Sequence, residues 1–238
     1  MRTVSLITRR ELGEVFEGRG RVGRLILLGV ALPLIFLLLL RSQAASPEYT
    51  TDRLRSAVRA IYAQMGIMPL SAAMAAAATS FATEFEAGTI IPLLAAPAPT
   101  SAVFWGKFLS AFITGVSLGW FAQGAFLVLF SPLTQRAWPV SASATFLISA
   151  AIPVFTLPFV AGAMALGSRA RRVKAAQTNS SLAFVVILAA VLLVVFRRPP
   201  ISASLIAWAV AGWLGFGVLL LTIGIRLWDR EEVLGHPD

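Results

Sequence analysis

The 238 residues are 58% hydrophobic and only 13% charged, with a mean hydropathy of +0.81, which excludes a soluble domain with an ordinary charged surface. The formal net charge is +9; in a chain built of long apolar runs, basic residues collect in loops beside anionic headgroups, so the charge points to a membrane and not to nucleic acid. Cysteine is absent, which rules out a disulfide framework and a cysteine-based metal site.

From Thr3 to Glu17 the pattern is helical. Val4, Ile7, Leu12, Val15 and Phe16 fall on one half of a helical wheel, and Arg2, Arg9, Arg10, Glu14 and Glu17 on the other. An interfacial helix lying in the membrane plane is expected within residues 1–21, with Arg9, Arg10 and Glu11 its contact residues. Leu6 and Glu11 break the pattern, and Thr8 with Glu11 can instead form a capping box that starts the helix later. A solvated charged tail is the plain alternative.

A helix needs about 20 apolar residues to cross the hydrocarbon, where every backbone group must be satisfied internally. Six uncharged runs meet this: Val22 to Leu40, Ala60 to Thr83, Ala102 to Phe130, Val140 to Gly167, Asn179 to Phe196 and Ile201 to Ile225. Pro33, Pro69, Pro153 and Pro158 mark kinks within them. Ser42-Gln43-Ala44 looks like a signal-peptide cleavage site. The basic region ahead of the first run and the length of that run both oppose cleavage, so it is read as a retained span.

Orientation follows from Lys and Arg placement. An inside N-terminus puts Arg2, Arg9, Arg10, Arg19, Arg21, Arg24, Lys107, Arg169, Arg171, Arg172, Lys174, Arg226 and Arg230 on the cytoplasmic side. The smaller share falls outside: Arg41, Arg53, Arg55, Arg59, Arg136, Arg197 and Arg198. Both termini are therefore expected in the cytoplasm, with residues 226–238 as a tail. The basic segment Arg53 to Arg59 is expected to form an amphipathic stretch on the outer interface.

Between the second and third runs lies EFEAGTIIPLLAAPAPTSAVFWGKF, Glu84 to Phe108. Gly88 permits a backbone conformation costly for other residues, and Thr89 can cap a short helix. Pro92 fits its first turn, and Pro97 and Pro99 end it. A stiff two-turn helix, Ile90 to Ala96, is expected on the cytoplasmic side, with Ile91, Leu94 and Ala95 as its apolar face. Glu84 and Glu86 sit at the end of the preceding span, where they can pair with basic groups or simply be solvated. Lys107 is expected to snorkel to headgroups, with a partner contact second. Further on, the loop SRARRVKAAQTN carries the positive-inside signal.

This segment resembles the one after the second span in permease subunits of type-2 ATP-binding-cassette (ABC) exporters. The acidic pair Glu84 and Glu86, Gly88-Thr89, Leu93-Leu94, Pro97 and Gly106-Lys107 recur there in this order. The resemblance implies an all-α permease with six transmembrane helices, forming one domain with its bundle over residues 22–225. It also implies that Ile90 to Ala96 is a coupling helix docking on an ATPase through Glu84, Glu86, Gly88, Thr89, Ile91, Leu94 and Pro97. The implied partners are two copies of an ABC ATPase, a second permease copy, identical or related, and membrane lipid. The implied setting is the plasma membrane, the inner membrane of an enveloped cell.

Enzymatic chemistry finds no footing. The sole histidine is His236, which leaves no intramembrane Ser-His nucleophile and no histidine-rich metal site. No GxxxxGK[ST] phosphate loop occurs, so no cofactor is expected in this chain; ATP and magnesium belong to the partner ATPase. The reading is an exporter permease for amphiphilic or apolar cargo. Its rivals are a haem-exporter-like assembly subunit, and a partner-independent channel or carrier.

Overall fold

The computed structural model describes residues 2–17, 23, 27–44, 50–89, 99–168, 170–182, 185 and 203–228. Among these there is no strand. The helices are α1 (Arg2–Glu17), α2 (Leu32–Ala44), α3 (Thr51–Ile67), α4 (Leu70–Glu86), α5 (Thr100–Thr134), α6 (Ala142–Gly167) and α7 (Ala203–Leu227). Residues 173–182 are also helical.

Four stretches are long and apolar enough to cross a bilayer: Thr51–Glu86, Thr100–Thr134, Ala142–Gly167 and Ala207–Leu227. They correspond to the expected second, third, fourth and sixth spans. The apolar helix Gly29–Ser42, within the expected first span, is shorter, and most of the expected fifth span, Asn179 to Phe196, lies outside the described residues. Large apolar side chains face outward, among them Val128, Phe146 and Trp208, which is 77% exposed. Water would penalise such a surface and lipid does not. The protein is a multi-pass membrane protein.

Proline placement explains most of the local geometry. Pro33 follows a π-helical turn, Leu27–Ala31, as expected where a missing N–H opens the hydrogen-bond ladder. The expected second span is two helices, α3 and α4, joined by a turn at Met68 and Pro69. Pro153 and Pro158 lie inside α6 without ending it. At 35 residues, α5 is about 50 Å long at 1.5 Å per residue, well beyond the roughly 30 Å of hydrocarbon.

The chain divides into two compact units. The first contains Met1–Leu12, Ala72–Phe112 and Leu157–Asp238. In it, Ile7 and Thr8 of α1 pack on Gly106 of α5, and Phe81 of α4 stacks on Phe104 of α5 and on Trp228 beyond α7.

The second contains Gly13–Ser71 and Ile113–Thr156. Thr50 caps α3 by accepting from the Arg53 amide, and Asp52 complements the dipole in the first turn. Leu54, Val58, Tyr62 and Met65 then form a buried stripe while Arg53, Arg55 and Arg59 stay exposed, the amphipathic pattern expected there. The stripe joins Leu37, Leu40, Phe126, Phe130 and Val140 in one core, with Trp138 edge-on to Tyr62, Phe126 and Phe130. A polar network ties three helices. The Gln123 amide donates to the Tyr62 carbonyl at 3.1 Å and accepts from the Ser149 hydroxyl at 2.8 Å, and that hydroxyl also bonds the Tyr62 phenol at 2.9 Å.

Candidate functional site

The end of α4 is shaped by the sequence Glu84 to Thr89. Its last carbonyls would be orphaned without a cap. The Thr89 amide donates to the Glu84 carbonyl at 3.0 Å and the Gly88 amide to the Phe85 carbonyl at 3.2 Å, the pair of bonds that defines a Schellman cap. The cap requires a left-handed residue between them, and Gly88 has φ of +68°. The expectation for Gly88 holds. Thr89 turns its hydroxyl back toward the Glu84 carbonyl at 3.5 Å, so it closes the helix behind it; the residues it was expected to cap lie outside the described ones.

The Glu84 side chain points inward to Lys107. Lys107 is only 3% exposed, and its three ammonium protons have three acceptors: Glu11 Oε1 at 2.7 Å, Glu84 Oε1 at 2.8 Å and the Ser80 carbonyl at 3.0 Å. The Phe81 ring adds a cation–π contact at 5.5 Å. The expected headgroup contact of Lys107 is therefore corrected. The side chain cannot snorkel, because two carboxylates and a carbonyl inside the protein hold its charge more closely than water or lipid could. One cation against two carboxylates leaves the cluster formally one charge negative, and Glu84 Oε2 is buried without a hydrogen-bond partner among the described residues.

Glu11 reaches the cluster because α1 lies close to α5. A Cβ on Gly106 would fall 2.6 Å from the Ile7 side chain, and the Thr8 hydroxyl donates to the Gly106 carbonyl at 3.2 Å and to the Val4 carbonyl at 2.9 Å. The Gly106-Lys107 pair thus has a physical meaning: the glycine admits α1, and the lysine binds it. The capping-box reading of Thr8 and Glu11 is corrected, since α1 begins at Arg2 and Thr8 bonds backwards as mid-helix threonines do. Glu11 broke the amphipathic pattern because it is an inward-facing ionic residue; Leu6 broke it because it is exposed. Arg9 and Arg10 are exposed.

Glu86 is placed differently from Glu84. Its Oε1 accepts from the Val173 amide at 2.8 Å, at the start of the helical stretch 173–182, where a carboxylate complements the helix dipole. It thereby ties the end of α4 to the basic loop. Ile91, Leu94 and Pro97, the expected coupling face, lie outside the described residues.

Sequence reasoning missed Ser80, Phe81, Thr8 and Trp228 as members of this site. Two signals were present: a carboxylate on the apolar face of α1, and a lysine just inside a span. Glu11, Glu84 and Lys107 together draw α1, α4 and α5 to a single point, beside the end of α4 from which the hinge departs.

No curated protein matches the chain. The sequence model described as ABC-2 family transporter protein matches residues 21–170, more than half of the sequence, including the whole run from Glu84 to Lys107. The chain belongs to the ABC-2 family of transporter proteins and is a membrane permease of an ABC transporter, a type of protein that works with an ABC ATPase.

Proposed function

We propose that this permease is an exporter subunit, carrying an amphiphilic or apolar cargo out of the cytoplasm by alternating access while a separate ATPase supplies the energy. Two permease copies and two ATPase copies form the assembly, both termini are cytoplasmic, and six spans cross the plasma membrane. The chain itself hydrolyses no ATP and holds no cofactor. ATP and magnesium are bound by the partner.

The observation that carries the reading is the Lys107 cluster within a chain of this family. A coupling element must be stiff to transmit motion, and coupling travels through bistable, packed elements and not through loose loops. Here the helix that leads into the hinge is capped at Gly88, bound to α1 and α5 through Lys107, and bound to the basic loop through Glu86. A push received at residues 90–98 would reach α4, α5 and α1 together. Span α4 is rich in small residues from Ser71 to Ser80, which suits close helix approach along a pathway. The near absence of intramembrane charge suits an apolar or amphiphilic cargo better than an ion.

The test is co-expression with an ABC ATPase encoded beside it. The two chains are expected to co-purify, and nucleotide hydrolysis to follow the ATPase alone. Hydrolysis by the purified permease by itself would overturn the assignment of roles.

A further inference from the structure

Alongside the ionic cluster, α1 and α5 leave an open groove of about 510 Å³, lined by Val4, Ser5, Thr8, Arg9, Leu12 and Leu109. Thr8 offers it no free hydroxyl, because that group already donates to the Val4 and Gly106 carbonyls; its methyl joins Val4, Leu12 and Leu109 in an apolar wall. Arg9 is the one charged residue in the lining, and its side chain is exposed. At about 30 Å³ per water-sized group, the groove holds on the order of fifteen such groups, the scale of an acyl chain.

From this pairing of an apolar trough with a guanidinium at its edge, we infer that the groove is a binding site for an anionic glycerophospholipid. The acyl chain lies against Val4, Leu12 and Leu109, and the headgroup phosphate is bound by Arg9. Charge complementarity selects this occupant. An arginine fork matches a phosphate in shape and sign, and an amphipathic helix with a basic face is attracted to anionic lipid. Within a bilayer an apolar wall confers no selectivity, since lipid tails are as apolar as leucine. Discrimination therefore rests on the headgroup, and the site prefers a net-negative lipid over a zwitterionic one with the same chains. Bound there, the lipid would brace the helix that supplies Glu11 to Lys107.

The experiment uses the full-length chain purified in mild detergent and given equal amounts of phosphatidylglycerol and phosphatidylcholine with identical acyl chains, with retained lipid read by native mass spectrometry. The wild type should retain phosphatidylglycerol in about fivefold excess, the contribution of one basic residue near an anionic surface. Arg9→Gln should abolish that excess, and Arg226→Gln, at the end of α7, should leave it intact. Leu109→Trp should reduce retention of both lipids by filling the trough, and Val4→Phe serves the same purpose from α1 should the first variant fold poorly. An excess that survives Arg9→Gln, or retention unchanged by a folded trough-filling variant, overturns the inference. So does a wild type with no headgroup preference whose trough-filling variants instead lose the ATPase, an outcome that assigns the groove to a protein segment.

Discussion

Replacing Lys107 by Met would remove the ammonium that lies 2.7 Å from Glu11 and 2.8 Å from Glu84. Methionine keeps the unbranched stem, so packing is largely preserved and the change reports on charge. Breaking a buried ion pair by deleting one partner costs about 3–5 kcal/mol, because the other charge is left desolvated and unpaired. The Glu11 and Glu84 side chains keep 21% and 17% of their surface exposed, which gives water some access, so the lower end, about 3 kcal/mol, is expected. A surface pair would cost less than about 1 kcal/mol, which makes the two cases separable. The triple variant K107M/E11Q/E84Q removes all three charges together and should return to within about 1 kcal/mol of wild type, since the penalty arises from the stranded carboxylates. Denaturant or thermal unfolding in mild detergent, followed by tryptophan fluorescence, measures both; Trp228, stacked on Phe81 beside Lys107, is well placed to report. A K107M protein as stable as wild type, or a triple variant no better than K107M, would refute this reasoning.

Gly106→Val should force Ile7 away from α5 and cost about 1–3 kcal/mol as an overpacked contact, seen as faster proteolysis within residues 2–17 than in wild type. Gly88→Ala meets no neighbouring atom, so its cost is backbone alone, about 1 kcal/mol at a positive φ; stability should fall slightly, while transport in vesicles with the ATPase present falls much more. Gln135 holds φ of +56° at the end of α5, and Gln135→Gly should stabilise the protein by up to about 1 kcal/mol, readable as a raised unfolding midpoint.

The apolar helices were legible from the length of uncharged runs, because nothing but a helix satisfies its backbone in hydrocarbon. Helix ends were less so. Arg53, Arg55 and Arg59 set the expected start of the second span at Ala60, yet α3 begins at Thr51, since arginines on an exposed face do not interrupt a helix whose other face is buried. Pro69 announced its break and Gly88 its cap, both through backbone chemistry that acts locally. The fate of Lys107 was not legible, because its partners lie 96 and 23 positions away and only packing brings them together. Glu11 gave the nearest hint: a carboxylate on the apolar side of an amphipathic helix needs a buried cation. Glu86 looked equivalent to Glu84, yet two positions along a helix turn a side chain to another face, and it serves Val173 instead.

The claim that the hinge after α4 meets a separate ATPase is most directly tested by cross-linking. The chain has no cysteine, so Leu94→Cys introduces a single thiol at the centre of the expected contact, and Arg136→Cys places one in the loop between α5 and α6. With the co-purified ATPase and a short thiol-to-amine cross-linker, Leu94→Cys should give a permease–ATPase adduct and Arg136→Cys none. An adduct formed from residue 136 and absent from residue 94 would contradict the account.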